Sequence, residues 1–144
     1  MDNASQTPPV TANPVKPKRI LFVEDDDALA GVYLVRLQAE GFDVKRVADG
    51  ENALAEAINF HPDLVLLDVM MPKVNGFDVL DILRNTPETS NTKIIILTAL
   101  SQPSDIERAK QLGASDYLVK SQAVITDVMD RIRYHLNLDK PAAA

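Results

Sequence analysis

Apolar runs of strand length recur along the chain and alternate with stretches whose apolar residues fall at helical spacing. The runs are RILFV (19–23), DVKRV (43–47), DLVLLD (63–68), KIIILT (93–98) and DYLVK (116–120). The first, third and fourth are apolar at successive positions, the pattern of central strands covered on both faces in a parallel sheet. The second and fifth are more polar and are expected nearer the edges. Helices are expected over 28–40, 51–60, 76–85, 104–112 and about 123–137. Their inner faces would carry Leu29, Val32, Tyr33 and Leu37; Ala53, Leu54, Ala57 and Ile58; Phe77, Leu80 and Leu83; Ile106, Ala109 and Leu112; and Ile125, Val128, Met129, Ile132 and Leu136. Gly41, Pro62, Asn85-Thr86-Pro87 and Gly113 punctuate the helix ends. Five βα units follow: an α/β, three-layer, doubly wound fold with helices on both faces of a parallel five-stranded sheet. Sheets of this kind place their sites beyond the carboxyl ends of the strands, where strand order reverses.

Composition narrows this picture. A chain of 144 residues, 46% apolar and 25% charged, suits one domain with an ordinary core. Its net charge of −6 argues against direct contact with nucleic acid. With no cysteine there are no disulfides, thiolate metal sites or cysteine nucleophile. No segment approaches the roughly 20 apolar residues of a membrane span, and the N-terminus lacks the apolar core of a signal peptide. A cytoplasmic protein without membrane partners is expected. Pro8, Pro9, Pro14 and Pro17 mark residues 1–17 as a disordered arm, and 139–144 reads as a disordered tail, leaving 18–138 as the domain.

The expected strand ends carry Glu24-Asp25, Asp68, Thr98-Ala99 and Lys120. Three acids, a hydroxyl and an amine would thus converge on one rim from distant parts of the chain. Carboxylates this close raise one another's pKa unless a cation joins them. Hard oxygen ligands suit Mg²⁺, and without cysteine or convergent histidine zinc does not fit. A carboxylate beside Mg²⁺ and a lysine is equipped to attack phosphorus, forming an acyl phosphate. The next acids read differently: Asp26 as the N-cap of the first helix and Asp27 in its first turn.

The segments ILFVEDD, LVLLDVMMPKVNG, IIILTA and GASDYLVK, in this order, resemble the receiver domain of two-component response regulators over about residues 18–137. The resemblance implies a flavodoxin-like fold with strand order 2-1-3-4-5 and a phosphorylation-dependent signalling switch, of the stand-alone, chemotaxis-regulator-like kind or a piece of a longer chain. It implies Asp68 as phospho-acceptor, with Thr98 and Lys120 contacting the phosphoryl group. Mg²⁺ would be held by Glu24, Asp25, Asp68 and the backbone carbonyl of Met70. Thr98 and Tyr117 would form the switch, and Ala99 would leave the phosphoryl group room. The implied partners are a histidine kinase or phosphotransfer protein and a downstream protein. A homodimer through the last two helices and the fifth strand is possible on charge, since that face holds Asp116, Asp127, Arg131 and Arg133. Such a domain is not an enzyme beyond its own phosphorylation and dephosphorylation. Met70 and Leu100 stand where the family's members flank the approach of hydrolytic water, and neither side chain can orient water, so a slowly hydrolysing phosphoryl group is expected.

Two departures stand out. Asn75 replaces the Asp often found before the loop glycine. Ser121 replaces the proline that usually follows the lysine through a cis bond, and a cis bond without proline costs about 3–4 kcal/mol. Other readings compete. Asp25-x-Asp27 after a first strand is also the pattern of haloacid-dehalogenase-like phosphatases, a reading that leaves Asp68 idle. An unphosphorylated interaction scaffold on the same fold would not need all five site residues. Tyr117 could equally be a packed edge aromatic. His61 and His135 are expected on the surface, and Met70-Met71 as packing.

Overall fold

The computed structural model describes residues 16–138. The expected arm, Lys16 and Pro17 apart, and the expected tail lie outside the described residues. The elements alternate strictly: β1 (Arg19–Val23), α1 (Asp27–Ala39), β2 (Asp43–Val47), α2 (Gly50–Asn59), β3 (Leu64–Leu67), α3 (Gly76–Arg84), β4 (Lys93–Thr98), α4 (Pro103–Gln111), β5 (Asp116–Val119) and α5 (Ile125–His135). The strands form one parallel sheet in the order β2-β1-β3-β4-β5. The three apolar runs are its centre and the two polar runs its edges, because only a central strand has both faces covered.

Two cores follow from the pleat. Leu21, Val23, Val65, Leu67, Ile94 and Ile96 pack under α2, α3 and α4. Ile20, Phe22, Leu64, Leu66, Ile95 and Leu97 pack under α1 and α5. The helix starts have local causes. Asp26 caps α1, accepting from the Leu29 N–H at 3.1 Å, and Asp49 caps α2, accepting from Asn52 at 2.9 Å. Asn75 caps α3, accepting from Phe77 at 2.7 Å, so the amide serves the cap that a carboxylate could serve.

Three expectations need correction. Val32 is 60% exposed; the buried face of α1 is Ala30, Tyr33 and Leu37. This helix is apolar almost all round, so its spacing alone does not select a face. The face is set where Tyr33 meets the Phe22 ring at 5.5 Å. Secondly, α5 begins at Ile125, since Gln122 and Ala123 first turn back to donate to the Val119 carbonyl at 2.9 and 3.0 Å. Thirdly, His135 is half-buried, with Nε2 2.9 Å from Asp116 Oδ2. His61 does lie on the surface. No cis peptide occurs among the described residues, so the Lys120–Ser121 bond is trans. No helix among them is long and apolar enough to cross a membrane.

Arg84, at the end of α3, ties the far end of the molecule together. Its guanidinium donates to the carbonyls of Gly113 at 2.8 Å and Thr92 at 2.6 Å, closing the turns on either side of β4 and α4. Burial holds its pKa below the ordinary arginine value.

Candidate functional site

The carboxyl ends of β1, β3, β4 and β5 meet at one rim. Glu24 continues the β1 ladder, donating its N–H to the Val47 carbonyl at 3.0 Å, and Asp68 continues β3, donating to the Val23 carbonyl at 3.1 Å. Both side chains are buried, Glu24 at 1% exposure and Asp68 at 4%, whereas Asp25 faces solvent. Lys120, just past β5, closes the cluster: its Nζ lies 2.9 Å from Asp68 Oδ2 and 2.8 Å from Glu24 Oε1. Its backbone N–H donates to the Thr98 carbonyl at 2.8 Å, which fixes the lysine beside β4 without a cis peptide bond.

The electrostatics follow from burial and pairing. Burial pushes the Glu24 carboxyl above its ordinary value, and the Lys120 bond offsets only part of this. For Lys120, burial works against the charge, but the bonds to Asp68 and Glu24 outweigh it and raise its pKa. Asp68 Oδ1 accepts from the Met70 N–H at 2.9 Å, so each acceptor oxygen has a donor.

Glu24, Asp25 and Asp68 offer carboxylate oxygens that all lie within 4.8 Å of one another. Three carboxylates set against one ammonium leave a negative cluster of hard oxygen donors, open to solvent through Asp25. That donor set fits a divalent cation that keeps some of its waters. The Asp-x-Asp reading loses its basis here. Its second acid, Asp27, stands outside the Glu24–Asp25–Asp68 group and is exposed and paired to Arg46 at 2.9 Å.

Thr98 is fully buried at the end of β4, with its Oγ1 3.5 Å from the Leu100 N–H. Tyr117 packs against the α2–α4 core, and its hydroxyl donates to the Leu100 carbonyl at 2.8 Å. Burial, with the charges of Asp105 and Asp68, pushes its pKa up to about 12. The β4–α4 segment is thus bonded at one residue, Leu100, to both Thr98 and Tyr117. Ala99 is exposed beside them. Met71 packs on the core, but Met70 is 52% exposed, correcting the expectation that both are packing.

The loop from Asp68 to α3 is seated by two glycines whose role the sequence did not reveal. A Cβ at Gly76 would stand 2.3 Å from Val69 Cα and 2.7 Å from the Asp68 carbonyl oxygen. A Cβ at Gly50 would stand 2.6 Å from Val74 Cβ. Backbone therefore approaches backbone directly behind Asp68, and only a residue without a side chain permits it. Arg46 was also unforeseen: from β2 its Nε donates to the Glu24 carbonyl at 2.8 Å.

Residues 20–133 match the family described as the response regulator receiver domain. The chain belongs to this family. Among curated receivers, it is 38% identical over 115 residues to the DNA-binding dual master transcriptional regulator RpaA of Synechocystis, covering 80% of this chain and 47% of RpaA. It is 39% identical over 128 residues to the DNA-binding response regulator MtrA of Mycolicibacterium smegmatis, covering 87% and 54%. Among solved receivers, the BeF3-activated N-terminal receiver domain of Klebsiella pneumoniae RstA superposes with a TM-score of 0.77 at 31% identity, covering 83% of this chain and 98% of that one.

One expectation about partners is overturned. The chain spans about half the length of the curated relatives it matches, and those relatives are DNA-binding regulators. A net charge of −6 describes these 144 residues alone, so it cannot remove nucleic acid from the receiver's sphere of action. The charges offered for a dimer face are also engaged within the chain: Asp116 Oδ2 accepts from Arg131 Nε at 2.6 Å.

Proposed function

We propose that this receiver is a phosphorylation-dependent switch that accepts a phosphoryl group on Asp68. The observation that carries the reading is the buried Asp68 carboxylate, held between the Lys120 ammonium and the Glu24–Asp25 acids at the carboxyl edge of the sheet. In the step proposed, an Asp68 oxygen forms a bond to phosphorus. The bond from phosphorus to the donor's imidazole nitrogen breaks, and that nitrogen keeps the electron pair. The donor is a histidine kinase or phosphotransfer protein.

Glu24, Asp25, Asp68 and the Met70 carbonyl would hold Mg²⁺, which when bound supplies positive charge to the phosphoryl oxygens. Lys120, whose pKa is raised, keeps its proton and adds a second positive group. Its exchange of a carboxylate partner for a phosphoryl oxygen preserves its charge pairing. Thr98 donates its hydroxyl to the phosphoryl group. Because Leu100 is bonded both to Thr98 and to Tyr117, movement of the threonine is passed to α4 and the Tyr117 ring. Apart from its own phosphorylation and dephosphorylation, the domain turns over no substrate. A cytoplasmic setting belongs to the same reading. The DNA-binding relatives support transcriptional control as the output. Incubation with Mg²⁺ and acetyl phosphate tests the reading: the intact mass should rise by one phosphoryl group.

A further inference from the structure

The peptide joining Glu24 to Asp25 is held by a side chain from a neighbouring strand. Glu24 is buried, and its carbonyl accepts from Arg46 Nε at 2.8 Å. Arg46 lies on β2 in register with Phe22 of β1. Its Nη2 forms an ion pair with Asp27 Oδ1 at 2.9 Å, in the first turn of α1. One guanidinium therefore meets the chain on both sides of the Asp25-Asp26 turn, at Glu24 by a hydrogen bond and at Asp27 by charge alone, since Nη2 makes no hydrogen bond.

Asp25 has no comparable hold of its own. Among the described residues, nothing hydrogen-bonds or ion-pairs with its carboxylate. The direction of that carboxylate thus depends on the backbone that presents it. A peptide group moves as a plane, so rotating the Glu24–Asp25 plane changes ψ of Glu24 and φ of Asp25 together. Where the change in ψ of Glu24 is not cancelled at φ of Asp25, the Cα–Cβ bond of Asp25 swings with the plane. The Arg46 hydrogen bond to the Glu24 carbonyl opposes that rotation.

We infer that Arg46 is a positioning residue for the divalent cation held by Glu24, Asp25 and Asp68, acting through the Glu24 carbonyl. The inference rests on the metal reading above. Among the described residues, Arg46 makes no hydrogen bond or ion pair with Asp68 or Lys120; its partners are the Glu24 carbonyl and Asp27. Its charge is answered by Asp27, which limits its repulsion of a nearby cation. The two conceivable effects of Arg46 have opposite signs. As a bare charge it would weaken cation binding; as a hydrogen-bond donor fixing the turn it strengthens it.

The test is calorimetric titration of Mg²⁺ alone into the full chain, with thermal unfolding of each variant. Arg46→Met keeps the apolar stem but has neither charge nor donor. Arg46→Gln has no charge but keeps an N–H donor. Arg46→Met is expected to raise the Mg²⁺ Kd about tenfold, the low end for residues that orient metal ligands, and Arg46→Gln to recover part of the loss. Equal Kd values in the two variants, or tighter binding in both, would overturn the inference. So would a lowered melting temperature with an unchanged Kd, which marks a purely structural role. The metal reading fails separately: it is lost if the wild type takes up no Mg²⁺ or if Asp25→Asn retains the wild-type Kd.

Discussion

Lys120 Nζ sits 2.9 Å from Asp68 Oδ2, and the same ammonium reaches the buried Glu24 at 2.8 Å. Removing one partner of a buried ion pair costs about 3–5 kcal/mol because the other charge is left uncompensated. Lys120 is partly open to solvent, so Lys120→Met should cost about 1–3 kcal/mol at neutral pH without divalent cations. Urea unfolding measures this. Saturating Mg²⁺ should narrow the gap to wild type, since the cation takes over the compensation. A gap unaffected by Mg²⁺ would contradict the shared charge balance.

Gly76 supports Asp68 from behind. A methyl group there meets Val69 Cα and the Asp68 carbonyl, backbone atoms that cannot turn aside. Overpacking of this kind costs about 1–3 kcal/mol. Gly76→Ala should therefore lower the urea midpoint. If Asp68 is the acceptor, the same change should slow phosphorylation by acetyl phosphate, because the Asp68 carbonyl is among the atoms displaced. Unchanged phosphorylation would show that the loop relaxes away from Asp68.

Asp116 governs an acid-dependent share of stability. Burial alone would raise its pKa, but the bonds from Arg131, His135 and the Tyr117 N–H outweigh it and hold the carboxyl below its usual value of 3.8. The unfolded chain therefore takes up the proton first as pH falls. The stabilisation is complete above pH 3.8 and is lost as pH drops through the lower, folded value. Asp116→Asn should be less stable at neutral pH and should show a shallower acid limb in urea midpoint against pH. A limb as steep as the wild type's would remove Asp116 as its source.

Met70 is half exposed in the loop after Asp68, and Leu100 is half-buried in the segment after Thr98. Neither can orient a water in line with the acyl phosphate. The phosphorylated chain should lose its phosphoryl group slowly, and the double variant Met70→Asn, Leu100→Glu should lose it several-fold faster. Decay followed by intact mass after removing the donor gives the answer; equal rates would count against it.

Much of this architecture was legible in the residues themselves. The two-faced runs at β1, β3 and β4 could only be central strands, and their ends delivered Glu24, Asp25, Asp68 and Thr98 to one rim. What the pattern could not supply was geometry that depends on contact between distant residues. Arg46 and Arg84 look like ordinary solvated cations in sequence, yet each ends on backbone carbonyls of another element. Spacing places Val32 inward only because α1 has apolar residues on every side, whereas the packing leaves it exposed. His135 gave no sign of Asp116, which lies a helix away along the chain. Nothing in the pattern singles out Gly50 or explains Gly76; only the packing shows that each admits a backbone against it.

If Asp68 is the acceptor, the rim around it serves one transfer, and that transfer leaves a covalent mark on a single residue. The most direct test is the intact mass of the wild-type chain and of Asp68→Asn after incubation with Mg²⁺ and acetyl phosphate. The wild type should gain one phosphoryl group and the variant none. An unmodified wild type, or an adduct that persists in Asp68→Asn, would contradict Asp68 as the acceptor.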